Sequence, residues 1–226
     1  MISKIGQVHV VVGPDRFNAA KWYLSFSPSP PDVWILDDGF QHQRLARQLN
    51  ILLVDETNPF GNQQLLPLGP LREPLGAAQR ANLVVRTRSR SLNFGFLTNL
   101  PQFPVFHNIT LTKSLQSEAW ENKFLPTCLV SGIARPNRLL EDLKDKLSIT
   151  PKTTVFVADH SKFCMGKVRR IANDCKSVLT TQKDYFRQPD FFHQVGFPVF
   201  IIDLELSMES EKEKALLAAI QTKLLK

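Results

Sequence analysis

Short apolar runs that end in polar or charged residues, spaced by segments of helical composition, constrain this 226-residue chain more than any other feature. Asp32–Leu36 (DVWIL) runs into Asp37 and Asp38, and Asn50–Val54 (NILLV) into Asp55. Thr153–Val157 leads to Asp159 and His160, and Ser177–Leu179 to Thr180-Thr181-Gln182-Lys183. A strand buried on both faces reads as a continuous apolar run, and parallel sheets bring the C-terminal ends of such strands to the ligand crevice. The pattern predicts an α/β fold built on a parallel sheet. Further strands are expected at Gln7–Val12, Leu83–Thr87, Thr127–Val130 and Phe197–Leu204. Helices are expected at Asp15–Leu24, Leu75–Arg80, Pro136–Leu147, Met165–Asn173 and Met208–Leu225, the last with Leu216, Leu217, Ile220 and Leu224 as its apolar face. Asn58–Pro74, rich in Gly, Pro and Asn, predicts an extended loop. Leu92–Leu125 reads as a strand-rich connector, which divides the chain into 1–98, a β-rich linker 99–126, and a second α/β unit 127–226.

Charge narrows the partners. The chain carries 28 Lys+Arg against 21 Asp+Glu, a net +7, which favours an anionic partner such as a phosphate, a nucleic acid or an acidic membrane face. Arg80, Arg86, Arg88 and Arg90 form the nearest thing to a cluster, read either as phosphate-directed or as a solvated face beside a strand end. No recognisable RNA- or DNA-binding motif accompanies the charge, which argues against a nucleic-acid reading. No apolar run reaches the roughly 18–20 residues that span a bilayer, and the N-terminus has no signal-peptide pattern. A cytoplasmic protein follows, with Cys128, Cys164 and Cys175 as reduced, buried thiols, since their spacing matches no zinc or redox motif.

Four motifs carry candidate chemistry. In Asp37-Asp38-Gly39-Phe40-Gln41-His42 an apolar strand would deliver two carboxylates to a crevice, suited to Mg²⁺ on nucleotide phosphates, with Gly39 turning the backbone away. The plain alternative is a strand–turn junction with a capping Asp. In Phe60–Pro74, prolines and glycines hold a loop that presents Arg72, suited to bidentate phosphate recognition. The alternative is an Arg72–Glu73 surface pair. Asp159-His160 at a strand end offers a His to orient or receive a proton, or else an N-cap beside a solvated His. Thr180–Tyr185 is a strand end with a Lys, or simply a helix start. No G-x-x-x-x-G-K-[ST] loop occurs in the sequence.

These motifs, in this order, resemble the tetraacyldisaccharide 4′-kinase family, the lipid A kinases of Gram-negative bacteria. The resemblance rests on IL-DDGFQH at 35–42, FGN…LLP-GPLREP at 60–74, SGIARP at 131–136, DH at 159–160 and LTTQKD at 179–184, with Val12–Arg16 upstream. It implies a P-loop-type α/β domain joined by a two-stranded linker to a smaller α/β domain, with the active site between them. It also implies transfer of the γ-phosphoryl group of MgATP to the 4′-hydroxyl of tetraacyldisaccharide 1-phosphate, at the cytoplasmic face of the inner membrane. By that resemblance Asp37 and Asp38 handle Mg²⁺, with Asp38 also catalytic. Arg72, Gln41 and His42 contact substrate, and His160 partners a catalytic aspartate. Roughly the first third of the family pattern, with the phosphate loop and that aspartate, is not found among these residues. The expectation is therefore a chain that, as it stands, transfers no phosphate; the alternative from another class is a non-catalytic module that binds a lipid-linked sugar or phosphate.

Overall fold

The computed structural model describes residues 8–89, 95–112, 114–158 and 161–224. Its strands are β1 (Ile51–Asp55), β2 (Leu83–Thr87), β3 (Gln102–Leu111), β4 (Thr127–Ser131), β5 (Thr153–Phe156), β6 (Ser177–Thr181) and β7 (Val199–Ser207). The helices are α1 (Arg16–Phe26), α2 (Pro136–Leu147), α3 (Met165–Ile171), α4 (Gln182–Arg187), α5 (Pro189–Gln194) and α6 (Ser210–Leu224). The strands form one sheet in the order β1-β2-β3-β7-β6-β4-β5. All pairings are parallel except β3 with β7.

β3 joins the two parts of this sheet. Its first residues pair in parallel with β2 (Val85↔Phe103, Thr87↔Val105) and the rest pair antiparallel with β7 (Phe106↔Ser207, Leu111↔Ile202). The two parts are built unequally. β4 is buried along its whole length and β6 along all but its last residue, between two clusters that cover both faces. Val130, Val168, Phe192 and Val199 belong to one cluster, and Leu129, Leu143, Leu179 and Phe200 to the other. Beside β1 and β2 the core is small, formed by Val54, Ala78, Val84 and Leu97.

Local signals explain most helix boundaries. Asp15 caps α1 by accepting from the backbone N–H groups of Phe17 and Asn18 at 3.0 and 3.1 Å. Pro136 opens α2, and Ser148 closes it in the left-handed conformation at φ 55°. Residues 75–80 form the expected short helix as a 3₁₀ segment.

Several expectations are corrected. Within the described residues, neither 8–12 nor 32–36 is a strand. A strand needs a partner, and among the described residues neither segment pairs with the open edge of β1 or with any other strand. Val12, Val33 and Trp34 stay exposed, and Ile35 is 89% exposed. Of these, Trp34 joins a small aromatic group in which Tyr23 packs against His9, Phe26 and Trp34. α5 was not anticipated, and the expected apolar face of α6 buries none of its residues. Cys128 and Cys175 are buried free thiols, but Cys164 is exposed.

Candidate active site

The acidic pair sits on an exposed turn rather than at a strand end, because the run before it does not enter the sheet. Asp38, not Gly39, takes the left-handed conformation, at φ 48°. Such backbone is unfavourable for most residues other than glycine and, among those, is tolerated best by Asn and Asp. The turn is held from behind: Arg47 donates to the carbonyls of Gly39 and, at 3.1 Å, of His42. The Arg80 guanidinium lies 5.0 Å from the centre of the Phe40 ring.

The loop carrying Arg72 is tied internally. Asn62 donates to the carbonyl of Leu68 at 2.9 Å, and the Leu71 N–H to the carbonyl of Gln64 at 3.1 Å. A Cβ on Gly69 would come within 2.4 Å of the Gln64 carbonyl oxygen, so the loop closes this tightly only with glycine there. Glu73 pairs with Arg80, not with its neighbour Arg72. Arg72 instead reaches Asp38, Nη1 to Oδ2 at 3.4 Å, with both side chains well exposed. The structure thus brings the acidic turn and the arginine loop to one surface. Gln41 is exposed and His42 half-buried on the same turn, and neither side chain hydrogen-bonds to Arg72 or the carboxylates among the described residues. Asp159 and His160 lie outside the described residues.

Asp37 and Asp38 offer hard oxygen donors, and among the described residues no group of three or more acidic, His or Cys side chains is placed to hold a metal ion. Mg²⁺ commonly binds through one or two carboxylates together with substrate phosphates and water. The pair therefore fits an ion carried in on a nucleotide, not a self-contained cage.

A second charged group lies at the C-terminal ends of β1 and β2, facing α2. Asp55 accepts from Arg135 Nη1 at 3.2 Å, from Arg138, and from Thr57 Oγ1 at 2.6 Å. Burial would raise the Asp55 carboxyl, but the Thr57 hydrogen bonds and the Arg138 charge outweigh it and hold it below the usual carboxylate range. Asp142 on α2 pairs with Arg88 at 2.7 Å and Lys146 at 3.0 Å, and these partners likewise outweigh its burial and lower it. Arg86 is buried and pairs with Glu56 at 3.3 Å. The arginine cluster of the sequence is therefore no solvated face: Arg80, Arg86 and Arg88 each have a carboxylate partner, while Arg90 lies outside the described residues.

Asp184, fully buried, ties the SGIARP and LTTQKD segments together. It accepts from Ser131 Oγ (2.8 Å), the Gly132 N–H (3.1 Å), Thr181 Oγ1 (2.8 Å) and Arg187 Nη2 (3.0 Å). Thr181 caps α4, so the LTTQKD stretch is a helix start, the plainer of its two readings. Asp184 and Arg135 lie within the LTTQKD and SGIARP motifs, but the sequence assigns no role to them or to Arg138. The available signals were a strand ending in Asp55 and charges at helical spacing after Pro136.

The model of the tetraacyldisaccharide-1-P 4′-kinase family matches residues 1–224. The chain belongs to this family. A tetraacyldisaccharide 4′-kinase of Pelobacter propionicus is 56% identical over 215 residues, covering 90% of this chain and 59% of that protein. One from Geobacter metallireducens is 32% identical, covering 89% of this chain and 62% of that protein. The chain thus spans about three fifths of the length of these family members. Among solved structures, the "apo" form of LpxK from Aquifex aeolicus in complex with ATP is similar with a TM-score of 0.64 at 28% identity, covering 92% of this chain and 62% of that one. This family likeness agrees with the α/β fold described above.

Proposed function

We propose that the chain carries part of the machinery that moves the γ-phosphoryl group of ATP to the 4′-hydroxyl of tetraacyldisaccharide 1-phosphate. The observation that carries this reading is the meeting of Asp38 and Arg72 on one exposed surface. An exposed ion pair is worth at most about 1 kcal/mol, so Arg72 can exchange the carboxylate for a phosphate oxygen at little cost. In this reading Asp37 and Asp38 hold Mg²⁺, which when bound supplies charge neutralisation on the phosphates. Arg72 donates to a phosphate of nucleotide or lipid, and Gln41 and His42 line the sugar side. His160 orients a catalytic aspartate that these 226 residues do not supply. The net charge of +7 suits an anionic membrane face, approached peripherally. No described helix is long and apolar enough to cross a membrane. Residues 1–98 are read as the nucleotide-side domain, 99–126 as the β-rich linker and 127–226 as the second domain, a reading supported by β3 pairing first with β2 and then with β7.

The absence of a G-x-x-x-x-G-K-[ST] stretch from the sequence favours weak nucleotide binding by these residues alone, with anionic-lipid binding retained. Calorimetry tests this. MgATP should give no saturable heat, whereas tetraacyldisaccharide 1-phosphate in micelles should bind. Dissociation constants near 1 µM for MgATP, about −8 kcal/mol, would overturn the first expectation. Phosphoryl transfer is tested by adding in trans the N-terminal segment of the Pelobacter propionicus relative. Restored turnover should fall at least about tenfold in Asp38→Ala, a loss of roughly 1.4 kcal/mol of transition-state stabilisation. A restored enzyme indifferent to both Asp37→Ala and Asp38→Ala would refute the metal assignment.

A further inference from the structure

Arg135, Arg138, Asp142 and Lys146 lie three or four residues apart, so they form one stripe along α2 and the residue before it. The same helix sends Leu139 and Leu143 into the cluster around Leu129, Leu179 and Phe200, which anchors it to the β4–β7 part of the sheet. The charged stripe reaches the other way. Arg135 and Arg138 share the Asp55 carboxylate at the end of β1, and Asp142 takes Arg88 from just beyond β2. Lys146 adds a bond to the carbonyl of His107, on β3 where its pairing passes to β7. Arg138–Asp55 and Asp142–Arg88 are not ordinary surface pairs, since the Asp142 side chain is 12% exposed and that of Arg138 21%, whereas Arg135 is an exposed partner at 59%. Asp55 is also the root of the loop that ends at Arg72, and it grips that loop's start through the N–H and hydroxyl of Thr57.

We propose that Asp55 is a positioning residue. With Arg135 and Arg138, and seconded by Asp142–Arg88, it latches α2 across the two parts of the sheet and holds the Asp38–Arg72 surface in one arrangement relative to the β4–β7 core. The consequence for phosphoryl transfer rests on the kinase reading; the latch itself does not, and its test needs neither nucleotide nor lipid.

Spin labels at the exposed positions Gln79 and Asp145, in the Cys164→Ser background, report the distance between the two parts by double electron–electron resonance. The parent should show a single narrow distance. Arg138→Gln should lose it to a broad or two-population distribution, and Arg138→Lys, which keeps a cation at the shared carboxylate on a stem of similar bulk, should restore it. A merely packed Arg138 would predict the same distribution for Gln and Lys. An unchanged distance in a folded Arg138→Gln, or a broadening that Lys leaves in place, would overturn the proposal. Should Arg138→Gln fail to fold, Arg88→Gln, which removes only the second tie, is read in the same way with broadening expected. Loss of fold in both would also overturn the proposal, because a latch leaves the separate cores on either side intact.

Discussion

Asp184 shows how a residue of ordinary sequence appearance can carry structural weight. Its carboxylate is fully buried and takes four donors, so removing it takes the acceptor from the Ser131 hydroxyl and the Gly132 N–H and removes the charge that Arg187 pairs with. Breaking a buried pair of this kind typically costs about 3–5 kcal/mol. Asp184→Ala should lower the urea midpoint accordingly. Gly132→Ala should also destabilise, since the added methyl would meet Arg187 Nη2 at 2.5 Å and displace that donor. Asp55 and Asp142 have lowered carboxyl values, so the stability they contribute is complete above the ordinary value of 3.8 and is lost as pH falls through and below it. His107 acts earlier. Burial, then the Arg88 and Lys146 charges, hold its ring neutral, and neither ring nitrogen finds a hydrogen-bond partner among the described residues. Below pH 6.5 the unfolded chain therefore takes up this proton first, and stability declines. Equilibrium unfolding followed from pH 7.5 to 3 should show both phases, and His107→Phe should remove the upper one. The local pairs, Asp184 with Arg187 and Asp142 with Lys146, follow helical spacing, but Asp184 with Ser131, Asp55 with Arg138 and Asp142 with Arg88 join residues dozens of positions apart, and their meeting depends on how the segments pack. The loop that presents Arg72 was legible because its prolines and glycines act locally, whereas the acidic pair, expected at a strand end, lies on a turn because the run before it does not enter the sheet.

At the scale of elements, an apolar run proved an insufficient sign of a strand. NILLV and DVWIL look alike, yet the first is β1 and the second is not in the sheet. The difference is a partner: residues 51–55 find β2 in register from Ile51↔Leu83 to Asp55↔Thr87, and residues 32–36 find no strand among the described residues. α2, in contrast, was bounded correctly from sequence, because Pro at its start and alternating leucines and charges are local and sufficient. β1 leaves Leu53 66% exposed on a strand with one free edge among the described residues, an arrangement that invites pairing between copies. Light scattering on the 226-residue chain should show concentration-dependent association. Leu53→Lys, which places a charge on that edge, should reduce it while leaving the melting transition in place.

Across the whole molecule, the sheet is continuous but its two sides are not equally furnished. The β4–β7 part has apolar clusters on both faces, whereas Val8, Val10, Val12, Val33, Trp34 and Ile35, in the segments before β1 and outside the sheet, are exposed to solvent. Apolar surface on this scale marks interaction surface more often than it marks a finished monomer face. The α/β class, the strands whose apolar runs are buried on both faces, the helix that Pro136 opens, and the family are all legible in the residues alone, because they follow from local pattern. Only the tertiary structure decided which apolar run became a strand, that Asp38 rather than Gly39 makes the strained turn, and that Asp55, Arg88, Arg135, Arg138 and Asp142 meet. The physical reason is that ladders and ion pairs are properties of two segments at once. Their energy depends on a neighbour's position and on shared burial, neither of which is written in one segment's composition.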